Sequence, residues 1–429
     1  MRLLFIIPRN PIPARDGGAL GMVGSFKGLH DAGHELDLLV LNTRRHANDP
    51  AVLHEMCHDV TSVDIDTTVT AVAAFRNVIA PRRSGVGGWR LRGRSVPLSY
   101  WIERFVHDRA LSVMEQLVTE REPYDAYVCD SLFTCPYGFE IMRMMDEGRI
   151  PRRPVLLRSH NVEYQIQQRM AHESSRPLLE RLYRAFLAYR TRRFEYEVIQ
   201  HFDGVQSVTE SDSAMFRVMN PNVNVLTIAP GVQAPDPAYL AIDPQPKTLC
   251  LLSSLEWAPN VQGALWFLHD VMPRITAAVP DAVVHVAGRG HDDRVAAHHN
   301  GTSIIYHGEV DDATAMRASC AVSIVPLFSG SGIRIKIQEA MALARSVVST
   351  TLGADGIPAT HGEHLMIADD AAAFADACIR LLLDAEAARA MGQAAKRFAD
   401  ERYSWRAFVD RFTAWGAEIK NRLAAGDHH

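Results

Sequence analysis

The stretch PLFSGSGIRIKIQEAMA, residues 326–342, sets two glycines, two cations and one carboxylate between apolar runs. Its pattern predicts a strand over 321–327, a loop over 328–332 and a helix from 333 or 334 to 344. Gly330 and Gly332, with Ser331 between them, let the backbone approach a ligand with no side chain in the way. The unpaired N–H groups of the helix start favour a phosphate. Arg334 and Lys336 add positive charge, and an arginine grips phosphate oxygens in pairs. Glu339 lies one to two turns further in, where a carboxylate accepts hydrogen bonds from vicinal hydroxyls such as those of a ribose. Phosphate at the helix start and pentose along its flank describe a nucleoside diphosphate. The same residues also fit a glycine turn followed by an exposed amphipathic helix, and the pattern alone leaves both open.

Outward from this stretch, short apolar runs alternate with amphipathic segments. Strands are expected at 3–7, 36–41, 62–64, 127–129, 155–158, 204–208 and 225–228, and a helix over 19–32 follows the loop holding Asp16, Gly17 and Gly18. The same grammar restarts at 248–252 and continues at 283–287, 303–307, 322–326 and 346–350, with helices between. Such alternation builds parallel sheets covered by helices on both faces. Pro235, Pro237, Pro244 and Pro246 cluster where the halves join. The expected architecture is therefore α/β: two doubly wound Rossmann-like domains facing across a cleft, residues 1–234 and 235–401, with a C-terminal helix over 402–427 rejoining the first. Ligands of open parallel sheets bind beyond the carboxyl ends of the strands.

Composition sets bounds. The 429 residues are 47% hydrophobic and 22% charged with a net charge of −5, which does not favour a nucleic-acid partner. Six scattered cysteines form no CxxC pair, so reduced core thiols are expected. The apolar run before Pro8 is short for a signal peptide, and no run suits a membrane span, which points to a cytoplasmic protein. Two segments break the pattern. The 79–99 stretch carries five arginines among glycines, and the 177–199 helix is rich in arginine and aromatics.

The opening stretch resembles the nucleotide-sugar signature of GT-B glycosyltransferases of the retaining, family-4 type (glycosyl transferases group 1). Glu339-Ala340-Met341-Ala342 and the strand from Ser346 match the second half of that signature. The first glutamate of the usual pattern falls on Ser331, and the chain resembles a branch with Gly-Ser-Gly, an apolar residue, Arg and Lys before the Glu. The likeness runs almost end to end. It implies a glycine loop at Gly17 and Gly18 near the donor phosphates, and a cleft-facing His160 in the segment Arg158-Ser159-His160-Asn161-Val162-Glu163. It also implies a hinge at Pro230-Gly231-Val232, with Gly288 near the base or phosphate and Glu309 in the segment contacting the base. The loop from Ser253 to Asn260 carries no cation, so Arg334 and Lys336 are expected to supply it, and Asn260 reads as a helix N-cap. Trp257 either walls the nucleotide or fills core. Asp212 reads as a cap or helix-face residue, and Glu210 is within reach of the cleft.

The implied reaction moves a hexose from a nucleotide-diphosphate sugar to a glycan or lipid-linked acceptor with retention, as in polysaccharide biosynthesis. It calls for no cofactor and no metal. His160, Arg334 and Lys336 are the catalytic candidates; Gly17, Gly18, Gly288, Glu309, Gly330, Ser331, Gly332 and Glu339 are the donor-binding ones. The two basic segments suit an anionic headgroup, hence a peripheral contact at the inner face of a membrane. Two other classes stay open: a nucleotide-sugar 2-epimerase, and a non-catalytic nucleotide-sugar binder. A dinucleotide dehydrogenase fits poorly, because no G-x-G-x-x-G follows the first strand.

Overall fold

The computed structural model describes residues 1–14, 17–44, 50–79, 97–172, 177–329 and 335–425. The chain forms two compact units, Met1–Pro230 with Phe408–His429, and Gly231–Ala407.

The first unit is built on seven strands: β1 (Arg2–Ile7), β2 (Glu35–Thr43), β3 (Asp59–Ile65), β4 (Ala126–Asp130), β5 (Val155–Arg158), β6 (Gly204–Ser207) and β7 (Val225–Thr227). They lie in the order β3-β2-β1-β4-β5-β6-β7, and every pairing is parallel. In β1 the run Leu3 to Ile7 is buried throughout, as expected of a strand covered on both faces. From Phe408 on, the helix Trp405–Ala424 completes this unit: Phe412 stacks against Phe5, and Trp415 Nε1 donates to Asn224 Oδ1 at 2.8 Å. Gly204 makes the docking possible, since a Cβ there would lie 2.5 Å from the Trp415 ring.

At the amino end of β2, the buried Asp37 carboxylate gathers Arg2, Arg121, His58 and the Tyr124 hydroxyl. Burial opposes its charge, but the hydrogen bonds from Tyr124, His58 and Arg121 outweigh that and hold the carboxyl below its usual range. This cluster ties strand starts together, away from the carboxyl ends where ligands bind.

The second unit holds β8 (Gln245–Leu252), β9 (Val283–Ala287), β10 (Ile304–Gly308), β11 (Cys320–Val325), β12 (Ser346–Ser349) and β13 (Met366–Ile367). Their order is β10-β9-β8-β11-β12-β13, again with parallel pairings. Both sheets have the doubly wound order, growing outward from a central first strand, so the expected GT-B class holds. The two-residue β13 had no sequence signal. All six cysteines are buried free thiols.

Candidate functional site

The carboxyl edges of both sheets carry polar clusters. In the first unit, register places Asp130, the last residue of β4, opposite Arg158, the last of β5. Asp130 is fully buried. Its Oδ2 accepts from Arg158 Nη1 at 3.1 Å, and its Oδ1 meets His160 Nε2 at 2.5 Å. Arg158 Nη2 donates to the Gly21 carbonyl at 2.9 Å, and the guanidinium lies 5.6 Å above the centre of the Phe408 ring. Burial alone would raise the Asp130 pKa, but the charges of Arg158 and His160 overcome it and keep the carboxyl below its ordinary value. Ser131 follows with φ of 113°, a strained conformation for a residue with a side chain, and such strain gathers at functional sites.

His160 is held at both ends of its turn. Ser159 N donates to the Gln206 carbonyl on β6, and Ser159 Oγ to the Asn161 carbonyl, each at 2.7 Å. The helix Glu163–His172 starts just beyond, and the buried Glu195 carboxyl group accepts its first two amides, Glu163 N at 3.0 Å and Tyr164 N at 3.3 Å. Burial pushes the Glu163 carboxyl up to about 7, and burial with Glu163 alongside pushes Glu195 up to about 8. Asp130 and Glu195 had no sequence signature, because a lone acid becomes a ligand for His160 or for a helix start only through long-range packing.

Gly17 and Gly18 open the helix Gly17–Asp31 that follows β1. Asp16 lies outside the described residues. Glu210 is exposed and pairs with Arg217 at 3.3 Å, while the cap of the helix Glu210–Met219 is Thr209, whose hydroxyl accepts from Asp212 N.

In the second unit the loops after β8, β9 and β10 are stitched together. Ser253 N donates to Ala287 O at 3.0 Å, Leu255 N to Arg289 O at 2.8 Å and Gly288 N to Gly308 O at 2.9 Å. Gly288 sits where the loops are closest: its φ is 149°, and a Cβ would fall 1.9 Å from the Ser253 carbonyl oxygen. Glu309 follows β10 with its side chain exposed, and Trp257 is about two-fifths exposed, at 39%.

The helix Ile335–Ala342 brings Lys336 and Glu339 to this edge. Lys336 Nζ donates to Ser253 Oγ at 2.8 Å and to Asn260 Oδ1 at 3.0 Å, so the cation missing from the Ser253–Asn260 loop arrives from another element. Asn260 is not the cap expected from sequence. The helix Ala258–Trp266 starts two residues earlier because Pro259, which lacks an N–H, fits its first turn. Asn260 is buried there, and its amide donates to Ser254 O at 2.8 Å. Glu339 Oε2 accepts from Arg317 Nη1 at 2.7 Å. Gly330, Ser331, Gly332 and Arg334 lie outside the described residues, as does the arginine-rich stretch 80–96. Among the described residues, no group of His, Cys, Asp or Glu side chains has the arrangement of a metal site.

Residues 246–384 match the family model for glycosyl transferases group 1, a span containing Ser253, Gly288, Glu309, Lys336 and Glu339. Over 390 residues the chain is 22% identical to an uncharacterized 44.6 kDa protein in the cps region of Klebsiella pneumoniae, covering 87% of this chain and 89% of that protein. A phosphatidyl-myo-inositol mannosyltransferase of Mycobacterium leprae is 34% identical over 145 residues, 32% of this chain and 38% of the relative. Among solved structures, Anabaena HepE in complex with UDP superposes with a TM-score of 0.59 at 12% identity, covering 99% of this chain and 100% of that one. The matched domain and the two parallel sheets together support a GT-B glycosyltransferase.

Proposed function

We propose that the chain transfers a hexose from a nucleotide-diphosphate sugar to a glycan or lipid-linked acceptor, with retention at the anomeric carbon. The observation that carries this reading is the Lys336 ammonium held against Ser253 and Asn260 beyond β8, one turn ahead of Glu339. A diphosphate seated there meets a fixed cation, and a ribose further along the helix meets a carboxylate. The resemblance adds Gly330, Ser331, Gly332 and Arg334 to the phosphate side, with Gly288 and Glu309 toward the base. HepE, solved with UDP, supports this ligand class.

On this reading the bond between the anomeric carbon and the phosphate oxygen breaks as the acceptor oxygen attacks from the same face. The departing phosphate takes the acceptor's proton. Charge builds on that phosphate, and a cation already in place stabilises it without reorganisation. His160, turned by Asp130 through Nε2, keeps Nδ1 for the transferring sugar. The resemblance adds Gly17 and Gly18 near the donor phosphates.

The acceptor belongs to polysaccharide biosynthesis, as a glycan or a lipid-linked intermediate, a reading that the relative from a cps region supports. A peripheral contact with an anionic membrane at its inner face fits two helices. Val72, Phe75 and Ile79 on Ala71–Ile79, and Leu178, Leu179 and Leu182 on Leu178–His201, are exposed large apolar side chains. Arg76, Arg192 and Arg193 are exposed on the same helices. No described helix is long and apolar enough to cross a membrane.

The test is NMR of products from UDP-, GDP- and ADP-sugars with and without a glycan acceptor. A new glycosidic signal with the donor's anomeric configuration supports the reading. A sugar inverted at C2 and formed without acceptor, nucleotide-linked or free, would replace it by the epimerase, and donor binding with no turnover by the non-catalytic binder.

A further inference from the structure

We infer that Arg317 is a positioning residue for the donor pentose, acting by fixing the carboxylate of Glu339; this rests on the nucleotide-sugar reading above. Arg317 stands in the last turn of the helix Ala313–Ser319, just ahead of β11. Its side chain is 8% exposed, whereas that of Glu339 is 38% exposed. A buried guanidinium therefore reaches outward to an accessible carboxylate.

Both supporting helices are fixed in place. Asp312 caps the Arg317 helix by accepting from Ala315 N at 2.8 Å, and the Tyr239 hydroxyl holds Asp312 at 2.7 Å. Ala318 O accepts from Arg345 Nε at 2.9 Å. Glu339 is flanked by the fully buried Gln338 and Ala340, which anchor the opposite face of its helix.

The pair at 2.7 Å engages Oε2 and leaves Oε1 to accept from the pentose hydroxyls. An exposed glutamate without this partner samples several rotamers and must be ordered by each incoming ligand. With Arg317 it stands ready in one orientation. The two side chains differ in what their loss does to folding. Loss of Arg317 leaves behind the carboxylate of Glu339, which at 38% exposure is reached by solvent, so no buried charge is left without a partner. Arg317→Met therefore separates ligand orientation from architecture.

The experiment measures affinity calorimetrically for whichever of UDP, GDP and ADP binds the wild type best, and for its 2′,3′-dideoxy analogue. The proteins are the wild type, Arg317→Met, Arg317→Lys, Glu339→Gln and the double variant Arg317→Met/Glu339→Gln. Arg317→Met is expected to weaken the ribose nucleotide by about tenfold, the scale of one charged hydrogen bond, and to leave the dideoxy analogue unchanged. Arg317→Lys recovers part of the loss, and the double variant binds no worse than Glu339→Gln. Equal weakening of both ligands, or of neither, overturns the role of Arg317 while leaving the nucleotide site standing. If no diphosphate binds the wild type, the nucleotide-sugar reading fails and the inference with it. Should Arg317→Met not fold, Arg317→Lys and Glu339→Gln make the same ligand comparison.

Discussion

At the residue scale, the first unit's site depends on one buried carboxylate serving two partners, Arg158 and His160. Asp130→Ala leaves Arg158 charged and buried without its partner, which is expected to cost about 3–5 kcal/mol in chemical denaturation. Asp130→Asn keeps the shape but removes the charge that turns His160. Arg158 loses its counter-charge here too, but the amide oxygen can still accept from it, so this variant should be destabilised less than Asp130→Ala and lower kcat about tenfold, measured as initial rates of sugar transfer. The acids beside the next helix have the opposite polarity. Glu163 and Glu195, at about 7 and about 8, hold protons in the folded state that the unfolded chain has released. Stability from this pair is full below the ordinary glutamate pKa and declines as pH rises toward 8. The melting temperature should therefore fall between pH 6 and pH 8.5, and the double variant Glu163→Gln/Glu195→Gln should flatten that slope.

At the element scale, what could be read from sequence was what neighbours in the chain decide. The 3–7 run became β1 because a strand buried on both faces needs a continuous apolar run, and the 283–287 run, apolar but for His285, became β9. The run expected at 127–129 extends to Asp130, since a polar residue at a strand's last position looks like the start of a loop. Pro259 was the cue that the following helix begins at Ala258; asparagine's preference for caps obscured it. The partners of His160, Lys336 and Glu339 come from β4, from the loop after β8 with the helix that follows it, and from the helix before β11. No local pattern announces such meetings. The contact between Trp415 and Gly204 is of the same kind. Gly204→Ala forces a Cβ into the indole and should destabilise the protein by about 1–3 kcal/mol, read from its denaturation midpoint.

At the scale of the whole molecule, the alternation of apolar runs with helices announced two doubly wound sheets, and each unit has one. The chemistry is divided between them: Asp130, Arg158 and His160 belong to the first unit, and Ser253, Asn260, Lys336 and Glu339 to the second. The second set makes the account's central claim, that a nucleoside diphosphate lies against Lys336 and Glu339. The most direct measurement is the melting temperature of the wild type, Lys336→Ala and Glu339→Ala with saturating UDP, GDP and ADP. One diphosphate should stabilise the wild type, because a ligand that binds only the native state raises its melting point. Each variant should lose most of that shift while melting near the wild type when unliganded. A wild type indifferent to all three, or variants stabilised as fully as the wild type, would contradict the account.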